Sequence, residues 1–295
     1  MLCKIYNDGS HFIAFEKPSL KRKLKKGRRL NKSSDLDKAF DEFYFLALKD
    51  GLSLEEQKSF IKDRIAEQFG RVGEILDNYI EQRFAVKLKN IALRKKRFQR
   101  KAFLNQWNYF VTFTYNDKLQ TEESFRLKLR KALSNFSTRR GWRFMGVWEY
   151  GVKEKRLHFH ALMYIPDGQM VGYIREVKEY SKRLHKMKIR HENSFFLKFG
   201  INDFAYIGKD AISKGKTLDY ILKYISKTDD KIVYSRGIPS EFVEEIEETD
   251  VVTEMEDFVI KYILFDDIFD SEHRRVLKSV SLDEFCEDID EVAWV

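Results

Sequence analysis

Two runs of apolar and aromatic residues, Trp142–Tyr150 (WRFMGVWEY) and Leu157–Pro166 (LHFHALMYIP), are joined by the short polar link Gly151–Arg156 (GVKEKR). This arrangement constrains the fold more than any other feature. Both runs have the composition of strands, and the link is short enough for a hairpin. If Tyr150 pairs with Leu157, Glu149 stands opposite His158, with the two Cβ atoms about 5 Å apart on one face. Residues i and i+2 of a strand point the same way, so His158 and His160 sit side by side. A slip of one residue would turn Glu149 to the other face. In the expected register Glu149, His158 and His160 converge. Two imidazoles and one carboxylate suit Mg²⁺, Mn²⁺ or a related divalent ion with positions left open for a substrate. A histidine-triad nucleotide hydrolase would need a third alternating His, and position 162 is Leu.

Further strands and helices frame the hairpin. Asn108–Tyr115 (NYFVTFTY) reads as a strand ending at the turn residues Asn116 and Asp117. Glu122–Ser137 reads as a helix with Phe125, Leu129, Leu133 and Phe136 at helical spacing, closed by Gly141. Residues 167–200 read as an insertion, largely helical and basic at Lys182–Arg190. A short strand at Asn202–Gly208, a helix at Lys214–Lys227 and a closing strand at Lys231–Tyr234 follow.

Residues 35–104 read as helices. Phe40, Phe43, Tyr44, Leu46 and Leu48 precede a break at Gly51. Ser53 and Glu56 fit a capping box for a helix ending near Phe69. Val72, Ile75, Leu76, Tyr79, Ile80 and Phe84 form an apolar stripe that runs on into the cluster Arg94–Arg100. This region suits a small helical DNA-binding module and a structural brace equally.

A second chemical motif is Tyr220–Lys227 (YILKYISK). Tyr220, Lys223, Tyr224 and Lys227 share one helical face, and Leu218, Ile221, Leu222 and Ile225 lie on the other. The apolar stripe is expected to be buried while the Tyr/Lys stripe faces outward. An ordinary amphipathic helix explains the lysines, but explains two tyrosines one turn apart less well. A phenol, with a pKa of about 10, is a weak nucleophile while protonated. A divalent ion that polarises a phosphoryl oxygen, and a lysine beside it, would favour attack by tyrosine on phosphorus. The product would be a covalent phosphotyrosine.

Charge narrows the class of partner. Residues 1–236 carry 51 Lys+Arg against 28 Asp+Glu, whereas residues 237–295 carry 4 against 19. The pattern suits a nucleic-acid-binding body with an acidic C-terminal region. Lys17–Leu30 (KPSLKRKLKKGRRL) has no acidic residue and reads as a basic arm. The two cysteines, Cys3 and Cys286, cannot form a disulfide framework, which fits a reducing cytoplasm. No apolar run approaches the length of about 20 residues that spans a membrane, and the first residues lack a secretory leader's apolar stretch.

Three ordered motifs, FVTFTYND (110–117), HFH (158–160) and YILKYISK (220–227), together resemble the HUH superfamily of single-strand endonucleases. More narrowly they resemble rolling-circle replication initiators of the two-tyrosine phage and plasmid type. The resemblance covers roughly residues 103–236. It implies an α+β fold, a central antiparallel sheet with flanking helices. The chain is thus expected to comprise a basic arm (1–34), a helical region (35–102), the HUH endonuclease domain (103–236) and an acidic region (237–295). The resemblance implies His158 and His160 as metal ligands, Glu149 as a third, Tyr220 and Tyr224 as nucleophiles, and Lys223 at the scissile phosphate, with Lys227 a further candidate. It implies Mg²⁺ or Mn²⁺ as cofactor and single-stranded DNA at an origin as substrate, in the cytoplasm of a bacterial cell. The implied reaction leaves a 5′-phosphotyrosine and a 3′-OH primer. No GxxxxGK[ST] is present, so a host helicase and polymerase are the expected partners. A relaxase or single-strand transposase would use related chemistry, but the three-His arrangement of relaxases is missing and many such transposases are shorter. A non-catalytic DNA-binding regulator would not need intact His and Tyr motifs.

Overall fold

The computed structural model describes residues 2–7, 9, 12–16, 34–151, 156–181, 185–208, 216–228, 230–245, 254–255, 261–264, 268–270 and 275–278. The chain divides into a larger unit, residues 29–98 and 105–238, and a smaller one, residues 1–28, 99–104 and 239–295.

The larger unit begins with three helices, α1 (Asp35–Asp50), α2 (Leu54–Phe69) and α3 (Glu74–Leu104), the last running on into the smaller unit. Their starts follow from local chemistry. Ser34 with Asp37, and Ser53 with Glu56, form capping boxes that satisfy the first free N–H groups of α1 and α2. Phe40 and Tyr44 of α1, Ile61 and Ile65 of α2, and Leu76, Ile80 and Phe84 of α3 form one buried core. The stripe expected on α3 is narrower at its start, since Val72 and Ile75 are 74% and 81% exposed. Further along, Arg94 donates to the carbonyl oxygens of Asp230 (3.1 Å) and Thr228 (3.3 Å). In that contact α3 acts as a brace for the chain just beyond the tyrosine helix.

The core of the unit is a five-stranded antiparallel sheet. Its strands are β3 (Tyr109–Tyr115), β4 (Arg143–Tyr150), β5 (Leu157–Tyr164), β8 (Gly200–Tyr206) and β9 (Val233–Tyr234), ordered β8-β3-β5-β4-β9. Alternation gives the sheet two different faces. One face carries Val111, Phe113, Phe144, Trp148, Phe159 and Phe204, packed with Phe125, Leu129 and Leu133 of α4 (Glu122–Arg140). The other carries Thr112, Thr114, Glu149, His158 and His160, beside α5 (Lys216–Ile225), which packs against β4. Gly146 sits where strand backbone and Phe159 close in, leaving no room for a Cβ.

Residues 167–200, expected as a helical insertion, instead form a hairpin, β6 (Ile174–Ser181) with β7 (Lys186–Asn193), followed by the 3₁₀ helix Ser194–Phe199. Lys, Arg and Glu are good helix formers, which makes the local composition misleading. The register explains the outcome, because Glu179 stands opposite Lys188 and Arg175 opposite Glu192, so opposite charges pair across the strands. Asn202 of β8 then fastens the hairpin. Its Oδ1 accepts from Asn193 N (2.7 Å) and its Nδ2 donates to Asn193 O (3.2 Å), in the manner of a strand neighbour.

In the smaller unit β1 (Leu2–Asn7) and β2 (Phe12–Glu16) form a hairpin within a sheet ordered β10-β1-β2-β12-β11. The partners β10 (Phe242–Glu245), β11 (Glu254–Met255) and β12 (Lys261–Leu264) come from the acidic C-terminal region, and β13 (Ile268–Asp270) pairs with β14 (Arg275–Lys278). Cys3, Ile5 and Ala14 are buried there with Phe12 and Phe242 packed on them. The first residues, expected within a basic arm, and part of the acidic region, expected as a tail, are therefore strands of one sheet. The basic run 17–30 lies outside the described residues.

Candidate active site

The β4–β5 register is the expected one, with Tyr150 opposite Leu157 and Glu149 opposite His158. Strand β3 adds a layer that sequence reasoning missed. Thr114 stands opposite His158 and Thr112 opposite His160. Thr114 Oγ1 lies 3.0 Å from His158 Nδ1, and Thr112 Oγ1 lies 3.1 Å from His160 Nδ1. The signal is present in FVTFTY, whose threonines alternate with the same period as the histidines they meet. The two imidazoles lie 5.8 Å apart between ring centres, 21° from parallel.

Glu149 and His160 are both buried, and Glu149 Oε2 accepts from His160 Nε2 at 3.3 Å. Lys227 Nζ approaches the other carboxylate oxygen at 3.6 Å. Among the described residues, no three His, Cys, Asp or Glu side chains stand as close together as ligands of one bound ion.

Helix α5 brings both tyrosines to this face. Tyr224 stacks on His160 with ring centres 4.3 Å apart and planes 7° from parallel. Tyr220 meets Tyr224 edge-on at 4.9 Å and Phe110 at 5.6 Å. The Tyr/Lys stripe, expected to face outward, leaves Tyr224 only 9% exposed, because the stripe faces the sheet and not open solvent. Tyr220 remains 46% exposed. Lys223 is exposed on α5 and is not among the residues lining the cavity described next.

A cavity of about 320 Å³ opens over these groups, lined by Glu149, His158, His160, Tyr220 and Tyr224. Its rim includes Lys188 and Arg190 of the β6–β7 hairpin and Asp203 of β8. Arg190 is fixed by Glu192 (2.6 Å) and by the carbonyl oxygen of Asn202 (3.1 Å). The helix-like composition of the hairpin conceals these rim residues in the sequence. Tyr150, next to Glu149, points to the opposite face. Burial, together with its hydrogen bond to Glu122, pushes its phenol up to about 12, so it stays protonated and structural.

The fold and site first define a class: an antiparallel sheet bearing alternating imidazoles and a carboxylate, faced by a helix with two tyrosines one turn apart. Residues 108–229, under half of the chain, match the model of a family described as replication-associated protein ORF2. That match spans every candidate site residue. It supports a replication initiator, and with that role DNA binding at an origin. Comparisons with curated proteins and with solved structures each gave no match. No helix among the described residues is long and apolar enough to cross a membrane.

Proposed function

We propose that residues 103–236 form a two-tyrosine endonuclease domain of the HUH type, which nicks single-stranded DNA at a replication origin in a bacterial cytoplasm. The observation that carries this reading is the convergence of Glu149, His158 and His160 on one sheet face, directly beneath Tyr220 and Tyr224.

The donor set fits a divalent cation such as Mg²⁺ or Mn²⁺. A hydroxyl both donates and accepts, so Thr112 and Thr114 accommodate either tautomer of the histidine beside them. When His160 Nε2 donates to Glu149, Nδ1 accepts from Thr112. When Nδ1–H donates to Thr112, the Nε2 lone pair is available as a ligand. Glu149, His158 and His160 would hold the ion, which when bound would polarise a phosphoryl oxygen.

Tyr220, the more exposed phenol, attacks the scissile phosphorus first. The Tyr Oη–P bond forms and the P–O3′ bond breaks. The 3′-oxygen leaves as the hydroxyl that primes synthesis, and the phosphate stays on Tyr220. Tyr224 serves a second transfer after it leaves its stack on His160. Lys227, held near Glu149, is the cation best placed to stabilise charge on the phosphate, ahead of Lys223. Strand separation and synthesis fall to a host helicase and polymerase.

The test uses purified protein, Mn²⁺ and single-stranded DNA from the chain's own replicon. A protein–DNA adduct that resists SDS is expected, lost on EDTA treatment and in the Tyr220→Phe/Tyr224→Phe double variant. Tyr220→Phe alone should lose the first adduct, and Tyr224→Phe should keep it. An adduct that persists in the double variant would refute the tyrosine assignment. DNA binding without any adduct would favour a regulator.

A further inference from the structure

A cavity of about 910 Å³, larger than the one over the histidines, lies on the opposite side of the sheet. It is a groove between α4 and the 3₁₀ helix Ser194–Phe199, where Phe136 packs edge-on against Phe195 at 5.4 Å. Lys128, Lys131 and Arg139 project into it from one face of α4, at helical spacing, and Arg140 continues the row. Lys198 faces them from the other wall. All five cations are exposed, and among the described residues no carboxylate lines the groove.

In the helical region of the same unit, cations are balanced. Lys58 pairs with Glu81 at 2.8 Å, Arg83 with Asp41 at 3.0 Å and Lys38 with Asp35 at 2.8 Å. Uncompensated like charges held side by side repel one another, and a polyanion relieves that cost. The aromatic floor is not open for base stacking, since Lys198 Nζ covers the Phe195 ring at 3.6 Å. The groove thus offers charge to a phosphate backbone and no platform for unstacked bases, a surface that fits a duplex better than a single strand.

The geometry points to a second DNA contact, in which the α4 groove holds the backbone of duplex DNA while a single strand is processed on the tyrosine face. This inference rests on the DNA reading above. It adds a substrate with both duplex and single-stranded parts, the two held on opposite sides of one sheet. Such a clamp positions the origin without reading its sequence.

The experiment compares wild type with Lys128→Gln/Lys131→Gln/Arg139→Gln, and with the charge-keeping Lys128→Arg/Lys131→Arg/Arg139→Lys, by fluorescence anisotropy over a salt series. All three positions are exposed, so the fold should survive, and circular dichroism checks it. For duplex DNA the slope of log K against log salt should shrink by about 0.9 for each phosphate no longer neutralised, about 2.7 in all. The charge-keeping variant should retain the wild-type slope, and adduct formation on a short single strand should be unchanged. An unchanged duplex slope would overturn the inference. So would an equal loss on single-stranded DNA, which would assign the groove to that strand. Wild-type protein that binds no DNA at all would instead sink the underlying reading.

Discussion

Gly146→Ala tests the register on which the site depends. A Cβ at this position would stand 2.5 Å from Phe159 Cζ, 2.6 Å from the His160 carbonyl oxygen and 2.8 Å from Ala161 Cβ. Carbon atoms settle about 3.5–4.0 Å apart, so each of the two carbon contacts is short by roughly 1 Å. Relief is difficult. Phe159 is fully buried and packs on Trp148 at 4.6 Å, and the other two atoms belong to the β5 backbone or to a Cβ. Overpacking of a tight core costs about 1–3 kcal/mol, and this site should lie near the upper end. A loss of about 3 kcal/mol changes the unfolding equilibrium roughly a hundredfold. Urea denaturation of wild type and variant would measure it. Phe159 lies between His158 and His160, so displacement of β5 would also move both imidazoles and lower adduct formation. A stability loss below about 0.5 kcal/mol, the range of an inconsequential surface change, would refute the close approach and the register with it.

Two further outcomes are expected. Thr112→Val removes the hydroxyl at His160 Nδ1 and should cost about 1 kcal/mol of stability. It should also raise the Mn²⁺ concentration needed for half-maximal adduct formation by about 10- to 100-fold, and an unchanged requirement would count against the support role. Burial raises the Glu192 carboxyl, but hydrogen bonds from Arg175 and Arg190 outweigh it and hold the group below its ordinary 4.5. A lowered carboxylate contributes stability that is complete above 4.5 and is lost as pH falls through the folded value. Wild type should therefore lose urea resistance on acidification more steeply than Glu192→Gln, and parallel curves would reject this.

Much of the candidate site is legible in the sequence because it is local. The six residues of GVKEKR tie β4 to β5, and a period of two then dictates that Glu149, His158 and His160 share a face. The helical period likewise brings Tyr220 and Tyr224 to one side of α5. Capping residues mark the starts of α1 and α2 without help from the rest of the chain. What escapes are pairings whose partners lie far apart. Thr112 and Thr114 acquire a role only once β3 lies beside β5.

The sequence by itself determined the β4–β5 hairpin, its histidines and the tyrosine helix, because short loops and fixed periods leave the chain few alternatives. Tertiary structure decided which way the tyrosine face turned and that it lies over His160. It also decided that charged residues 174–193 form a hairpin anchored by Asn202, and that Cys3 pairs across a sheet with Glu244. Each of these outcomes depends on surface or backbone supplied from elsewhere in the chain, and local composition carries no record of that partner.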